Sequence, residues 1–157
     1  MKFKDNSVIL PLPSIEFIRT EEKMWRILLP ETYVQFIQSA NGVKPVERNF
    51  VCNKRKYTID RFLCILEDSE EHELGMYDID VVLTQIEDRL SDNLDLVGVE
   101  LLPIAVLFAG DFVCLDYKNS KDNPIVCVWS HEESEENMPV TYFVADTFEK
   151  FSEMLTE

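Results

Sequence analysis

The sequence predicts an α+β fold: a single domain spanning residues 1–157, with a mainly antiparallel sheet flanked by helices. Helix-period and strand-like stretches alternate in the order helix, helix, strands, helix, strands, helix. The strand-like runs are joined by short connections, which suit antiparallel neighbours rather than parallel crossovers. Leu102–Asp116 shows this most plainly, as two apolar runs meeting at Ala109-Gly110-Asp111. A hydrophobic content of 46% with ten Phe supports a real core, and four Gly with seven Pro leave little material for linkers. No internal repeat or low-complexity segment interrupts the chain.

The first helix is expected over Ser14–Ile27, with Ser14 as N-cap and Ile15, Ile18 and Trp25 on one face. Pro30 suits the first position of a second helix, where its missing N–H costs nothing. Tyr33, Phe36, Ile37 and Ala40 then form an apolar stripe, and Asn41-Gly42 stops the helix.

Val46–Asn53 and Tyr57–Leu66 read as strands around a basic turn, Lys54-Arg55-Lys56. Asp68–Asp80 reads as an exposed acidic loop. A third helix is expected over about Ile79–Leu90, with Ile79, Leu83, Ile86 and Leu90 on one face. Leu101–Phe108, Phe112–Tyr117 and Ile125–Ser130 read as strands, the last two separated by the turn-rich stretch 119–124. Glu132–Asn137 is a second acidic loop and Val140–Val144 a short strand. Asp146 is expected to cap a final helix, with Glu149 completing a capping box and Phe148, Phe151, Met154 and Leu155 on its apolar face. The sheet is therefore placed in residues 46–66, 101–130 and 140–145, and Tyr33, Phe36, Phe148 and Phe151 are expected to be largely buried.

Composition excludes several function classes. The start, Met1-Lys2-Phe3-Lys4-Asp5, is not followed by a continuous apolar run, so no secretory leader is expected. No run approaches the roughly 20 apolar residues of a membrane span. Together these favour a cytoplasmic protein. Cys52, Cys64, Cys114 and Cys127 form no C-x-x-C pair, and three of them lie in apolar strand-like runs. They read as reduced core cysteines rather than a zinc or redox site.

The net charge of −15 is uneven. Residues 1–61 carry seven acids and eleven bases, a net of +4, while residues 62–157 carry 23 acids and four bases, a net of −19. Such a field repels nucleic acid and anionic membranes and attracts a basic partner. Solubility alone is the bland alternative.

The ordered set of motifs resembles the SUKH superfamily, also called the Smi/Knr cell-wall-assembly-regulator-like family. The residues carrying the resemblance are Leu29-Pro30-Glu31-Thr32-Tyr33-Val34-Gln35-Phe36, then Asn41-Gly42 and Pro45. After them come the strand Leu101–Ala105, the Gly110-Asp111 turn and Leu115-Asp116. Trp129 with His131, and Ala145-Asp146-Thr147-Phe148-Glu149-Lys150-Phe151, complete the set. Val43 departs from the pattern, where a second Gly is common, and residues 67–100 are the least family-like. The resemblance implies an antiparallel sheet flanked by helices. It also implies a protein-binding role, which in many bacterial members is immunity: binding and blocking a toxin, usually a secreted nuclease. Eukaryotic members look more like regulatory scaffolds.

The residues give no catalytic constellation. His72 lies in an acidic loop and His131 at a strand end. A grouping of His131 with Asp116 and Cys114 lacks supporting spacing. No phosphate loop, H-E-x-x-H or EF-hand pattern is present, and the acidic loops lack the alternate-ligand spacing of a calcium site. The expectation is a non-enzymatic protein with no cofactor and no metal. Trp129 reads as core or as a binding anchor, and Met76 with Tyr77 as an anchor or as a tuck holding the loop.

These observations point to an acidic immunity protein, a toxin inhibitor acting by protein–protein interaction on a basic partner. That partner would be the nuclease domain of a polymorphic or contact-dependent toxin. The alternative is a regulatory interaction module with a non-toxin partner. The candidate contact residues are Glu70, Glu71, Glu73, Met76, Tyr77, Asp78 and Asp80 in the first acidic loop, and Glu132, Glu133, Glu135 and Glu136 in the second.

Overall fold

The computed structural model describes residues 1–157 and contains four α-helices and one six-stranded sheet. The helices are α1 (Ile15–Trp25), α2 (Glu31–Ala40), α3 (Ile79–Ile86) and α4 (Phe148–Met154). The strands are β1 (Asn49–Cys52), β2 (Arg55–Phe62), β3 (Leu101–Leu107), β4 (Phe112–Asp116), β5 (Ile125–Trp129) and β6 (Thr141–Ala145). The strands lie in sequence order and every neighbouring pair is antiparallel, including β2 with β3, whose connection is long and carries α3. The fold is α+β, as the sequence predicts.

Helix ends follow local chemistry. Ser14 caps α1 by accepting the Phe17 N–H at 3.1 Å. Pro30 stands one residue earlier than expected: it is the residue before α2, and its carbonyl accepts the Tyr33 and Val34 N–H groups. Gly42, at φ +67°, ends α2, and a β-carbon there would lie 2.5 Å from Ile9 Cδ1. Asn41 beside it is buried. Its amide donates to the carbonyls of Ile9 and Ile65 and accepts the Ile65 N–H, so one side chain ties the N-terminal segment, α2 and the end of β2 together.

Three local expectations are corrected. The β1–β2 turn is Asn53-Lys54, both left-handed at φ 49° and 62°, which is the two-residue hairpin geometry matching strand twist. Arg55 and Lys56 lie on β2 itself. The second is the cap of α4, which is Thr147: it accepts the Lys150 N–H at 3.1 Å, whereas Asp146 pairs with the Lys150 ammonium at 3.4 Å. The third is the length of α3, which stops at Ile86 and continues as a 3₁₀ turn, Glu87–Arg89.

Consecutive residues 101–105 and 126–129 are all buried. Side chains alternate across a strand, so the centre of the sheet is covered on both faces. The helices contribute aromatic contacts to one continuous core. Tyr33 and Phe148 meet edge-on at 5.2 Å, Phe36 and Phe62 at 4.9 Å, and Phe50 and Phe151 at 5.4 Å. Tyr33, Phe148 and Phe151 are buried; Phe36 is only half-buried. Trp129 is fully enclosed and belongs to the core.

All four cysteines are buried free thiols. Desolvation pushes each thiol up, Cys64 to about 12. Cys52 reaches across the sheet: its thiol donates to the Phe143 carbonyl at 3.2 Å, bringing the β1 edge beside β6. No helix is long and apolar enough to cross a membrane.

Candidate partner-docking surface

The two acidic loops lie beyond the two ends of α3, a helix of eight residues and so about 12 Å long. Each loop is fastened by one side chain that the sequence alone does not single out.

At the N-terminal end, residues 68–77 fold into two 3₁₀ turns, Ser69–Glu71 and Gly75–Tyr77. His72 fixes them. Its Nδ1 accepts the Leu74 N–H at 2.9 Å, so its Nε2 carries the proton and donates to the Leu10 carbonyl at 2.6 Å. Gly75 is required by a close approach, because a β-carbon would fall 1.9 Å from the Ser69 carbonyl oxygen. Glu70, Glu71 and Glu73 are exposed on this frame.

The remaining candidates in this loop divide. Met76 is 56% exposed. Tyr77 is half-buried, with the Arg61 guanidinium 5.1 Å from its ring centre, so it tucks the loop onto the domain. Asp78 is only 3% exposed. Its carboxylate accepts the Leu66, Asp80 and Val81 N–H groups, which caps α3 and anchors the strand exit. Asp80 is half-buried and accepts the indole N–H of Trp25. Asp78 and Asp80 therefore belong to the fold's internal wiring rather than to an exposed acidic loop, and the surface set contracts to Glu70, Glu71, Glu73 and Met76.

Next to that wiring sits Glu21, 5% exposed, with Oε2 unpartnered. Burial, reinforced by Asp80 and Asp78, raises its carboxyl to about 8. Burial also raises Asp78.

At the C-terminal end, Arg89 fastens the second loop. Its guanidinium donates to the carbonyls of Ser134 and His131 and lies 5.0 Å from the Trp129 ring centre. The Trp129 indole donates back to the Arg89 carbonyl at 2.9 Å, and the Asn137 N–H donates to the Asp88 carbonyl at 2.7 Å. Glu132, Glu133, Glu135 and Glu136 are all exposed, with Glu133 accepting the Tyr142 hydroxyl. The same clamp brings in Glu87 and Asp88, exposed acids not among the sequence candidates, and Met138, which is 61% exposed. The signal for them was Arg89 itself, the only base between residues 62 and 117.

The structure does not assemble Cys114 with His131. Cys114 is enclosed in β4 opposite Cys127. His131 is exposed beyond β5, its main-chain N–H bonded to Asp111 and its ring edge-on to Trp129. No group of three or more His, Cys, Asp or Glu residues is arranged to hold a metal ion.

The architecture is an antiparallel meander with acidic loops beyond both ends of α3 and with its thiols buried. A model of the SUKH group described as SMI1-KNR4 cell-wall matches residues 15–151, and the chain belongs to that family. No curated protein and no solved structure matches the chain.

Proposed function

We propose that this protein is an immunity-type inhibitor: a cytoplasmic, non-enzymatic protein that binds a basic toxin domain, such as a nuclease, and blocks it stoichiometrically. The observation that carries this reading is the pair of acidic loops flanking α3, the first fastened to Leu10 by the half-buried His72 and the second to the turn after α3 by the half-buried Arg89. Membership of the family is consistent with it. Preorganised charge raises the rate of encounter with a basic partner, up to roughly 10⁸–10⁹ M⁻¹s⁻¹ at low salt. Locking the loops beforehand lowers the ordering cost on docking. Acidic groups then stand where a nuclease expects phosphate, and the bulk of the domain covers its cleft.

The family's cell-wall description favours a second reading, a regulatory module with a non-toxin partner. Co-expression separates the two. The protein should restore growth to cells making the toxin-like product encoded beside its own gene, and should form a complex with it of fixed stoichiometry. Absence of rescue together with absence of a complex would rule out the immunity reading.

A further inference from the structure

The chain carries −15 overall, yet four of the eight residues lining an open concavity of about 710 Å³ on its surface are cations, against two acids. Arg19 and Lys23 come from α1 at a spacing of four that places them on one helical face, and Arg26 is the residue that caps the helix beside them. Lys121 comes from the β4–β5 loop and is one of four bases after residue 61. That loop is held against the α1–α2 link by the main chain: the Leu28 N–H donates to the Lys121 carbonyl at 2.9 Å, and the Tyr117 hydroxyl donates to the Leu28 carbonyl at 2.8 Å.

Both acids in the lining accept hydrogen bonds, and one of them, Glu22, is neutralised by a cation. Glu22 is buried, and its carboxylate accepts the Arg19 guanidinium at 2.8 Å and the Leu29 N–H at 2.6 Å. Asp122 accepts the Ser120 hydroxyl at 2.8 Å. Lys23, Arg26 and Lys121 take part in no ion pair. Arg26 also stands against its backbone preference. It holds φ 59° and ψ 40° directly after α1, a left-handed position usually given to glycine because a β-carbon is strained there.

We propose that this concavity binds a small soluble phosphate ester carrying two or more phosphates. The phosphates would lie among Lys23, Arg26 and Lys121, and the organic part against Leu28, which is 55% exposed. The volume falls in the range of small-ligand sites, roughly 300–1,000 Å³. Compactness of the ligand follows from the charge map. Screening over about 8 Å confines the positive field to the concavity, and a long polyanion would run out over an acidic surface. This inference is independent of the docking reading.

Calorimetric titration of the full chain with inorganic pyrophosphate and with ATP, at about 0.15 M salt, tests it. Saturable one-site binding is expected, tighter for ATP. Replacing Lys23→Gln and Lys121→Gln together should weaken binding by about tenfold or more with an unchanged thermal midpoint. Arg26→Gly should weaken binding while holding or raising the midpoint, which a purely structural arginine would not do. Lys54→Gln with Lys56→Gln, on the distant hairpin, should leave binding intact. Absence of saturable binding by either probe overturns the proposal, as does equal weakening by the hairpin variant. Tighter binding of a single-stranded oligonucleotide or of anionic vesicles than of ATP, lost in the Lys23/Lys121 variant, overturns it too.

Discussion

The indole N–H of Trp25 donates to the Asp80 carboxylate at 2.8 Å, joining residues 55 positions apart. It ties the last turn of α1 to the first turn of α3, the helix that carries both acidic loops. Glu21 and Asp78 crowd the same place: Asp78 is met by three main-chain N–H groups and Asp80 by the indole, while Glu21 Oε2 has no partner.

Stability should therefore fall as pH rises. The folded value of Glu21 lies above its ordinary one, 4.5 against about 8, and Asp78 is raised as well. The folded chain then binds more protons than the unfolded chain across this window. Its stabilisation is complete below the ordinary carboxylate range and is lost as pH climbs through the folded value. Thermal midpoints should decline as pH rises from 4.5 to about 8, and Glu21→Gln should flatten that slope. An unchanged slope in the variant would remove Glu21 as its source.

Asp78→Ala removes a helix cap and strands the Leu66 N–H. The expected loss is about 2–4 kcal/mol, from the cap and one unpaired buried donor together. Urea denaturation measures it, and a loss no greater than that of an exposed control such as Glu73→Ala would contradict the assigned role.

Neutralising Glu70, Glu71 and Glu73 to Gln, or Glu132, Glu133, Glu135 and Glu136 to Gln, should slow association with the partner and flatten its salt dependence. Met76→Ala should act instead on dissociation, by about 2 kcal/mol if it anchors the contact. Tyr77→Ala should lower the thermal midpoint as well, since the ring lies under Arg61. Surface-binding kinetics decide, and unchanged rates in both acidic sets would move the docking site elsewhere.

The four thiols should react with a disulfide reagent only when the chain opens. Each is buried, and desolvation keeps the reactive thiolate scarce. The labelling rate should track the denaturant concentration. One thiol reacting within seconds in native buffer would contradict its burial.

What the sequence made legible was local. Ser14, Asn41-Gly42 and the apolar periods of Tyr33–Ala40 and Ile79–Ile86 announce helices through contacts within a turn or two. The strand runs and a largely antiparallel sheet were equally plain where connections are short, but the pairing of β2 with β3 across the long link through α3 was not. Errors of a residue or two arose where neighbours compete for one task. Asp146 and Thr147 both suit a cap, and only the backbone geometry selects Thr147. The docking surface was half legible. Acidity marked both loops, but not that Asp78 and Asp80 turn inward. Nor did it show that His72 meets Leu10 across 62 positions, or that Arg89 draws Glu87 and Asp88 to the second loop across 45. Bonds of that reach leave no periodic trace in a sequence.

The Cys52 thiol on the Phe143 carbonyl has a consequence for how the molecule meets others. A six-stranded meander has two outer strands, and each would ordinarily offer a row of unused main-chain groups to a stranger's strand. Here β1 and β6 turn toward each other, and Thr156, next to the last residue, bonds with Asn49 on β1. Part of each outer edge is therefore occupied. Strand addition, the recognition mode least sensitive to side-chain identity, is thereby discouraged. Recognition is left to side chains, where changing a few exposed residues can change the partner without disturbing the sheet.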